Sequence, residues 1–434
     1  MKKQTYKDNQ KGGAYKYRFY PTPEEKDFLE KAFGHSRYIW NRILEWRTQL
    51  WKEEKVSASY YDACKRLTYL KKQPELIWLS EVPCAILQQV LRNQERAFKI
   101  FFKNPNLFGY PKIKKGSSSK SAIFTKSVFT YEKKDGEDAK ICLRGGTVLP
   151  YANTIPLNIR WSRELPGEPT SVTITKDFAN RYFISCVFKF EPKPLPVVNN
   201  IIGIDLGLTD LVVTSDGYKS GNPRYFSKLH KKLARAQRSF SRKKKGSNNR
   251  EKARLKVARI NNQITDSRKD FHQKLTTQLI KHNQIICSET LKIKNMVKNR
   301  RLAKHISDAG WGEVVRQLEY KADWRKREVF KVDTFFPSSK TCHNCGHVID
   351  SLPLSKRSWV CPSCETKLDR DTNAAINIKV QGLKDNKESK KGKAKKAKEI
   401  KDNKKSKKGK AKERSAKGKP KDSLRKGERG KPRI

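Results

Sequence analysis

The sequence predicts a multidomain protein of mixed α/β and α+β class, in which a helical region and a β-rich segment precede an α/β layer carrying an inserted four-cysteine module. Three observations carry this prediction. At 434 residues the chain exceeds what one hydrophobic core usually serves. Its apolar period changes from helical spacing to strict alternation, and then to strands interleaved with helices. Two Cys-x2-Cys pairs lie late in the chain, Cys342 with Cys345 and Cys361 with Cys364.

Taken in order, a polar leader (1–14) gives way to a short alternating strand over 16–20. Thr22, Pro23 and Glu25 then form a capping box with proline at the first helical position, so a helix starts there. It carries Phe33, Arg37, Tyr38, Trp40, Asn41, Leu44 and Trp51. A second amphipathic helix is written in Ile86, Leu87, Val90, Leu91, Phe98, Phe101 and Phe102, and its opposite face offers Gln88, Gln89, Arg92, Asn93 and Arg96. Most of that aromatic stripe is expected to be core. From about 117 to 191 the period is two, punctuated by Gly and Pro, as expected of a small β-barrel or sheet enclosing the early helices. The run PKPLPVV at 192–198 makes a stiff connector and a domain boundary.

Beyond it, Ile201–Asp205 is an apolar strand ending on a carboxylate, followed by a returning strand. Residues 224–282 are helical in composition and intensely basic, with a turn at 246–249. Gln284–Glu289 is another strand ending on a carboxylate, and Glu328–Val332 a further short one. A helix is expected over 371–379. Residues 383–434 hold 24 Lys or Arg against 7 Asp or Glu and almost no apolar residue, which predicts a disordered tail.

The formal net charge is +54, with a pI near 10.1. So large an excess is neutralised best by a polyanion, and nucleic acid gains further from counterion release. An anionic membrane is the rival partner. No apolar run of about 18 residues exists and mean hydropathy is −0.85, so no membrane association is expected. The N-terminus lacks an apolar stretch and cleavage site, which points to the cytoplasm and a reducing compartment. Five of the nine cysteines (Cys64, Cys84, Cys142, Cys186 and Cys287) stand singly among apolar neighbours and read as small buried hydrophobes.

The remaining four carry chemistry. Fifteen residues separate the two pairs, the spacing of a zinc ribbon in which two turns each present two thiolates. Four cysteines close the coordination sphere, so Zn2+ would be structural. His343 and His347 are spare ligands. Nucleases of the RNase H type instead need carboxylates converging from separate strands to hold two Mg2+ ions about 4 Å apart. Asp205 and Glu289 end strands and Asp371 opens a helix, where amide N–H groups tolerate negative charge. Acidic residues at element ends are also common as caps. The basic candidates for phosphate contact are Arg242, Lys243, Lys244, Lys245, Arg250, Lys252, Arg254 and Arg268, each of which could equally be a solvated helix face.

Five segments together resemble one family: GIDLG (203–207), SETLKIKNM (288–296), SDAGWG (307–312), FPSSKTCHNCG (336–346) and DRDTNAAINI (369–378). In order and content they are similar to TnpB, the OrfB-type proteins of bacterial insertion sequences, which are related to compact type V CRISPR effectors. The likeness spans roughly 15–380. It implies a RuvC-like, RNase H-like nuclease domain over 199–335 and 366–382, interrupted by a zinc ribbon at 336–365. Ahead of it the resemblance implies a β-barrel wedge (15–198) with an inserted helical recognition lobe, its helices spanning about 22–115. It also implies Asp205, Glu289 and Asp371 as the Mg2+ triad, with Asp369 as a neighbour that could replace Asp371. Implied partners are a guide RNA from the element's end, one chain per RNA, and double-stranded target DNA. Tyr38, Asn41, Gln88, Asn93 and Phe102 would then face DNA. The implied activity is RNA-guided, Mg2+-dependent cutting of target DNA by a protein once described as a transposase. The alternatives are a non-cleaving nucleic-acid-binding regulator on the same fold and a type V CRISPR effector.

Overall fold

The computed structural model describes residues 10–116, 119–145, 154–353 and 355–387. Strand β1 (Lys11–Phe19) begins inside the segment expected as leader. Thr22 caps α1 (Pro23–Glu54): its hydroxyl accepts from the Glu25 N–H and the Glu25 carboxylate accepts from the Thr22 N–H, the predicted capping box. Ser59 and Asp62 repeat the device at α2 (Tyr60–Lys72), and α3 (Cys84–Lys103) follows. Helix therefore stops at Lys103, earlier than the expected limit near 115.

Strands β2 (Lys120–Thr125), β3 (Phe129–Glu132), β4 (Lys140–Arg144), β5 (Thr154–Pro156), β6 (Ile159–Arg160), β7 (Pro169–Lys176) and β8 (Tyr182–Phe190) complete this region. They form a five-stranded antiparallel sheet in the order β2-β7-β8-β1-β6 and a three-stranded sheet β3-β4-β5. No closed barrel forms among the described residues. One core joins the helices to the sheets: Phe28, Ile39, Ile43 and Leu87 pack with Phe124, Ile174, Ile184 and Phe188, all fully buried. Cys186 is buried in the same core as a small hydrophobe, with its thiol pushed up to about 12 by burial.

Helices α4 (Tyr225–Ser241) and α5 (Asn248–His282) are joined by the basic turn and packed through Leu233, Ala236, Ile260 and Ile264. One compact unit takes residues up to Leu195, Tyr225–Phe271 and Trp324–Lys326. The basic helical hairpin thus clusters with the N-terminal region, whereas it adjoins the carboxylate-bearing strands in the sequence.

The second unit takes Pro196–Arg224, His272–Asp323 and residues from Arg327 on. Its sheet comprises β9 (Ile201–Asp205), β10 (Val213–Thr214), β11 (Ile285–Glu289) and β12 (Glu328–Val332), in the order β10-β9-β11-β12. β9, β11 and β12 run parallel and β10 antiparallel, the arrangement foreseen from alternating strands and helices. Their apolar runs suit strands covered on both faces. Between them lie α6 (Ile293–Met296), α7 (Arg300–Ala309) and α8 (Trp311–Arg325). The cysteine module holds β13 (Ser358–Val360) and β14 (Lys367–Asp369), and a final helix α9 spans 370–387. α9 runs past 382, where the tail was expected to begin; the rest of the lysine-rich tail, 388–434, lies outside the described residues. No helix among the described residues is long and apolar enough to cross a membrane.

Candidate functional site

Parallel pairing sets the first two carboxylates side by side. β9 and β11 run in register from Ile201 opposite Ile285 to Ile204 opposite Ser288, so Asp205 and Glu289 are the next residues on neighbouring strands. The Leu206 N–H donates to Glu289 Oε1 at 3.1 Å, and Trp311 Nε1–H fixes the loop beyond by donating to the Gly207 carbonyl at 3.1 Å. The third carboxylate arrives on α9. At Gly203 an added Cβ would sit 2.0 Å from the Ala375 carbonyl oxygen, and at Gly382 it would sit 2.7 Å from Cys287 Sγ. Only glycine at both places lets α9 press against β9 and β11. Asp371 consequently lies in the first turn of α9, at the end of the sheet where Asp205 and Glu289 stand.

The two aspartates flanking Arg370 do different things. Asp369 caps α9, accepting from the Thr372 N–H at 2.9 Å, and takes an ion pair from Lys219 at 2.9 Å. Asp371 is free of the cap and bears on Asp205 electrostatically. Its carboxylate is held by Arg357 Nη1, 3.3 and 3.2 Å from its two oxygens, while Arg357 Nη2 donates to Thr209 Oγ1 at 3.3 Å. Burial, then Glu289, then Asp371 push the Asp205 carboxyl well above the usual range, against the pull of Arg370 and Arg357. Burial pushes Glu289 up to about 7, opposed by the Leu206 N–H. Carboxylates crowded out of water in this way demand a proton or a cation.

The thiols are arranged differently. Cys342, Cys345, Cys361 and Cys364 bring their sulfurs within 4.8 Å of one another, with Cys342 and Cys364 3.7 Å apart and Cys345 and Cys361 3.6 Å apart. A tetrahedral ion with bonds of about 2.3 Å has sulfur–sulfur edges of about 3.8 Å, so the donor set fits zinc. Among the described residues no other group of three His, Cys, Asp or Glu ligand atoms is so close. Hydrogen bonds from Thr366 pull the Cys364 thiol down to about 5. His343 is turned away as a ligand, its backbone N–H and Nδ1 meeting Asn373 Oδ1 at 2.9 and 3.0 Å.

That contact ties the thiols to α9. Asn373 Nδ2 also donates to the Thr341 carbonyl at 2.8 Å, and Asn377 Nδ2 donates to the Ser338 and Thr341 carbonyls at 2.8 and 2.6 Å. Both asparagines are buried. The helix that bears Asp371 is thus pinned to the first cysteine knuckle two residues beyond Asp371.

The nucleic-acid candidates divide. Arg242, Lys243, Lys244, Lys245 and Lys252 are exposed. Arg250 instead braces the turn, donating to the Phe240 and Lys243 carbonyls, and Arg254 pairs with Glu251 and the Phe178 carbonyl. Arg268 is half-buried on α5. In the helical region Asn41 exchanges two hydrogen bonds with the Lys114 backbone and Tyr38 packs edge-on against Trp78, while Gln88, Asn93 and Phe102 are exposed. Asn373 and Asn377 had no signal in the sequence beyond falling in a family-like segment, and Arg357, outside all five, had none.

Three family models match the chain: OrfB_IS605, described as "Probable transposase", over 184–300; the Cas12f1-like TNB domain over 311–378; and a helix-turn-helix domain over 12–55. A protein from Streptomyces pristinaespiralis named "Putative RNA-guided DNA endonuclease" is 44% identical over 373 residues, covering 85% of this chain and 89% of that one. The chain belongs to the TnpB family of OrfB-type proteins. A family relative from Escherichia coli K12, InsQ, bears the same description and is 30% identical, covering 85% of this chain and 92% of its own. Among solved structures, the TnpB-family fold seen here is similar to Cas12f1 in its complex with sgRNA and target DNA. The TM-score is 0.52 at 14% identity, over 86% of this chain and 99% of that one.

Proposed function

We propose that this chain is an RNA-guided DNA endonuclease that hydrolyses target DNA at Asp205, Glu289 and Asp371. Two Mg2+ ions would be held by these carboxylates and one structural Zn2+ by the four thiolates. The observation that carries the reading is the gathering of three carboxylates from β9, β11 and α9 at one end of a parallel sheet, in a chain otherwise strongly positive. Ions bound there supply an activated water and a counter-charge for the leaving oxygen. Asp205, raised by burial and by its neighbours' charge, and Glu289, raised by burial, would give up their protons to hold them. Arg357 and Arg370 add positive charge beside the same carboxylates, where a phosphodiester must approach.

The family relatives' names support RNA guidance and DNA as the substrate. Four thiols at tetrahedral spacing support a closed, structural metal site. The exposed run Arg242–Lys245 suits backbone phosphates, which such proteins recognise by charge and shape and not by sequence.

The test is guided cleavage by the full chain purified with the RNA that accompanies it, in Mg2+, against DNA matching that RNA. Wild type should cut and Asp205→Ala should not. Target that stays bound but uncut, or equal cutting by Asp205→Ala, would point to the non-cleaving regulator.

A further inference from the structure

Within the N-terminal unit, the turn between β7 and β8, one face of α5 and the end of β1 line an open polar pocket of about 370 Å3. That volume lies at the small end of ligand sites, which run from about 300 to 1,000 Å3. Its lining falls into two sets. Arg181 is spoken for, donating to Asp177 Oδ2 and Asp266 Oδ2 at 2.7 Å each, and Asn262 donates to Asp177 at 3.0 Å. These four make a hydrogen-bonded floor.

The other set is open to a ligand. Arg18 Nη1 is shielded from solvent and donates to nothing among the described residues. Arg259, Asn180 and Gln263 also line the pocket and are exposed, so their polar ends are open to a ligand. A buried guanidinium N–H without an acceptor costs about as much as a lost charged hydrogen bond, so an acceptor from outside is called for. Lys16 and Lys269 add to the positive surroundings: burial, and then Lys269, lower the Lys16 ammonium.

We propose that this pocket takes one unpaired ribonucleotide of the bound RNA, its phosphate on Arg18 and Arg259 and its base edge on Asn180 and Gln263. Guanidinium pairs match phosphate oxygens, and carboxamides offer a donor and an acceptor to a base edge. Asp266 favours RNA over DNA as the occupant. A carboxylate repels phosphate but accepts from a ribose 2′-hydroxyl, and its second oxygen is not used by Arg181. Unpaired nucleotides are also the part of an RNA whose base edges are open to amides. The inference rests on the RNA-guided reading, and its test separates the two.

The full chain is reassembled with synthetic copies of the RNA that accompanies it on purification, and affinity is measured while single nucleotides are made abasic or 2′-deoxy. One position should weaken binding about tenfold with either change. The abasic effect should vanish in Gln263→Ala, and Arg259→Gln should lower affinity about tenfold while reducing the salt slope by about 1. If Arg259→Gln weakens binding but no abasic position couples to Gln263, the pocket is a phosphate contact only and the proposal is overturned. Gln263→Ala and Arg259→Gln binding like wild type, with RNA bound and target cut, would overturn it alone. A wild-type chain that carries no RNA at all would overturn the guided reading and this proposal together.

Discussion

The four thiols and the three carboxylates lie in the same compact unit, yet one cluster is drawn tight and the other held apart. The sulfurs stand at the spacing a tetrahedral ion requires, because a short turn fixes each pair, Asn344 Nδ2 donates to Cys364 Sγ and Thr366 Oγ1 lies 3.3 Å from that sulfur. The carboxylates are gathered from β9, β11 and α9, resist one another, and Asp371 is occupied by Arg357. A donor set that shapes a small fold can be pre-formed, since nothing has to leave it. One gathered to act on a substrate would cost stability, because Asp205 and Glu289 are crowded out of water.

The contrast can be broken most sharply by deletion. Asp205→Ala should reduce guided cleavage to background while leaving the melting temperature of the metal-free chain unchanged or higher, because it removes a repelled charge. Cys361→Ser should act the other way, with loss of bound zinc by mass spectrometry and protease cutting within 336–365. The folding free energy that structural zinc supplies in small modules is about 10–16 kcal/mol. Were Asp205→Ala to lower the melting temperature as much as Cys361→Ser does, the two clusters would not differ in kind.

Gly203→Ala comes next. Its Cβ would lie 2.0 Å from a backbone oxygen that cannot swing aside, so α9 must lift from β9. A loss of about 3 kcal/mol or more in urea titration is expected, at the upper end of overpacking costs, together with weaker cleavage. Gly34→Ala, where a Cβ meets nothing within 4 Å, is the control.

The smallest effect lies outside both clusters. His35, buried edge-on to Trp78 at 4.6 Å, has its imidazolium disfavoured by burial and sits at about 4. The folded chain then binds fewer protons than the unfolded one between pH 6.5 and 4, so acid destabilises it across that window by roughly 3 kcal/mol. His35→Gln should flatten this slope equally in zinc-loaded and chelated protein. A slope that changed with zinc would mean that the thiol cluster reaches the N-terminal core.

Much of the site could be read without a structure because its residues are local signals. The cysteines declare themselves by spacing, whereas Asp205 and Glu289 end apolar runs that could equally have been capped, and only the family-like segments singled them out. Asp369 and Asp371 could not be separated that way, since capping depends on which residue stands just outside the helix. Asn41 and Arg254 looked like surface contacts because a long polar side chain reads alike whether it meets solvent, phosphate or a carbonyl 70 or more residues away. Gly203 fell within a family-like segment, but that it seats a helix from 170 residues onward is visible only once Ala375 lies against it. Closure of the β-rich segment was beyond alternation to decide, as period two describes open and closed sheets equally.

The most direct measurement is made on Asn373→Ala, which removes the tie between the cysteine knuckle and α9 without touching a thiol or a carboxylate. Zinc content and guided cleavage are read from one preparation carrying its RNA. One zinc per chain with cleavage lowered about 10- to 100-fold is expected, the usual cost of losing a partner that orients a metal-binding group. Full-rate cleavage with zinc retained would contradict the claim that the thiol module serves the nuclease by placing Asp371.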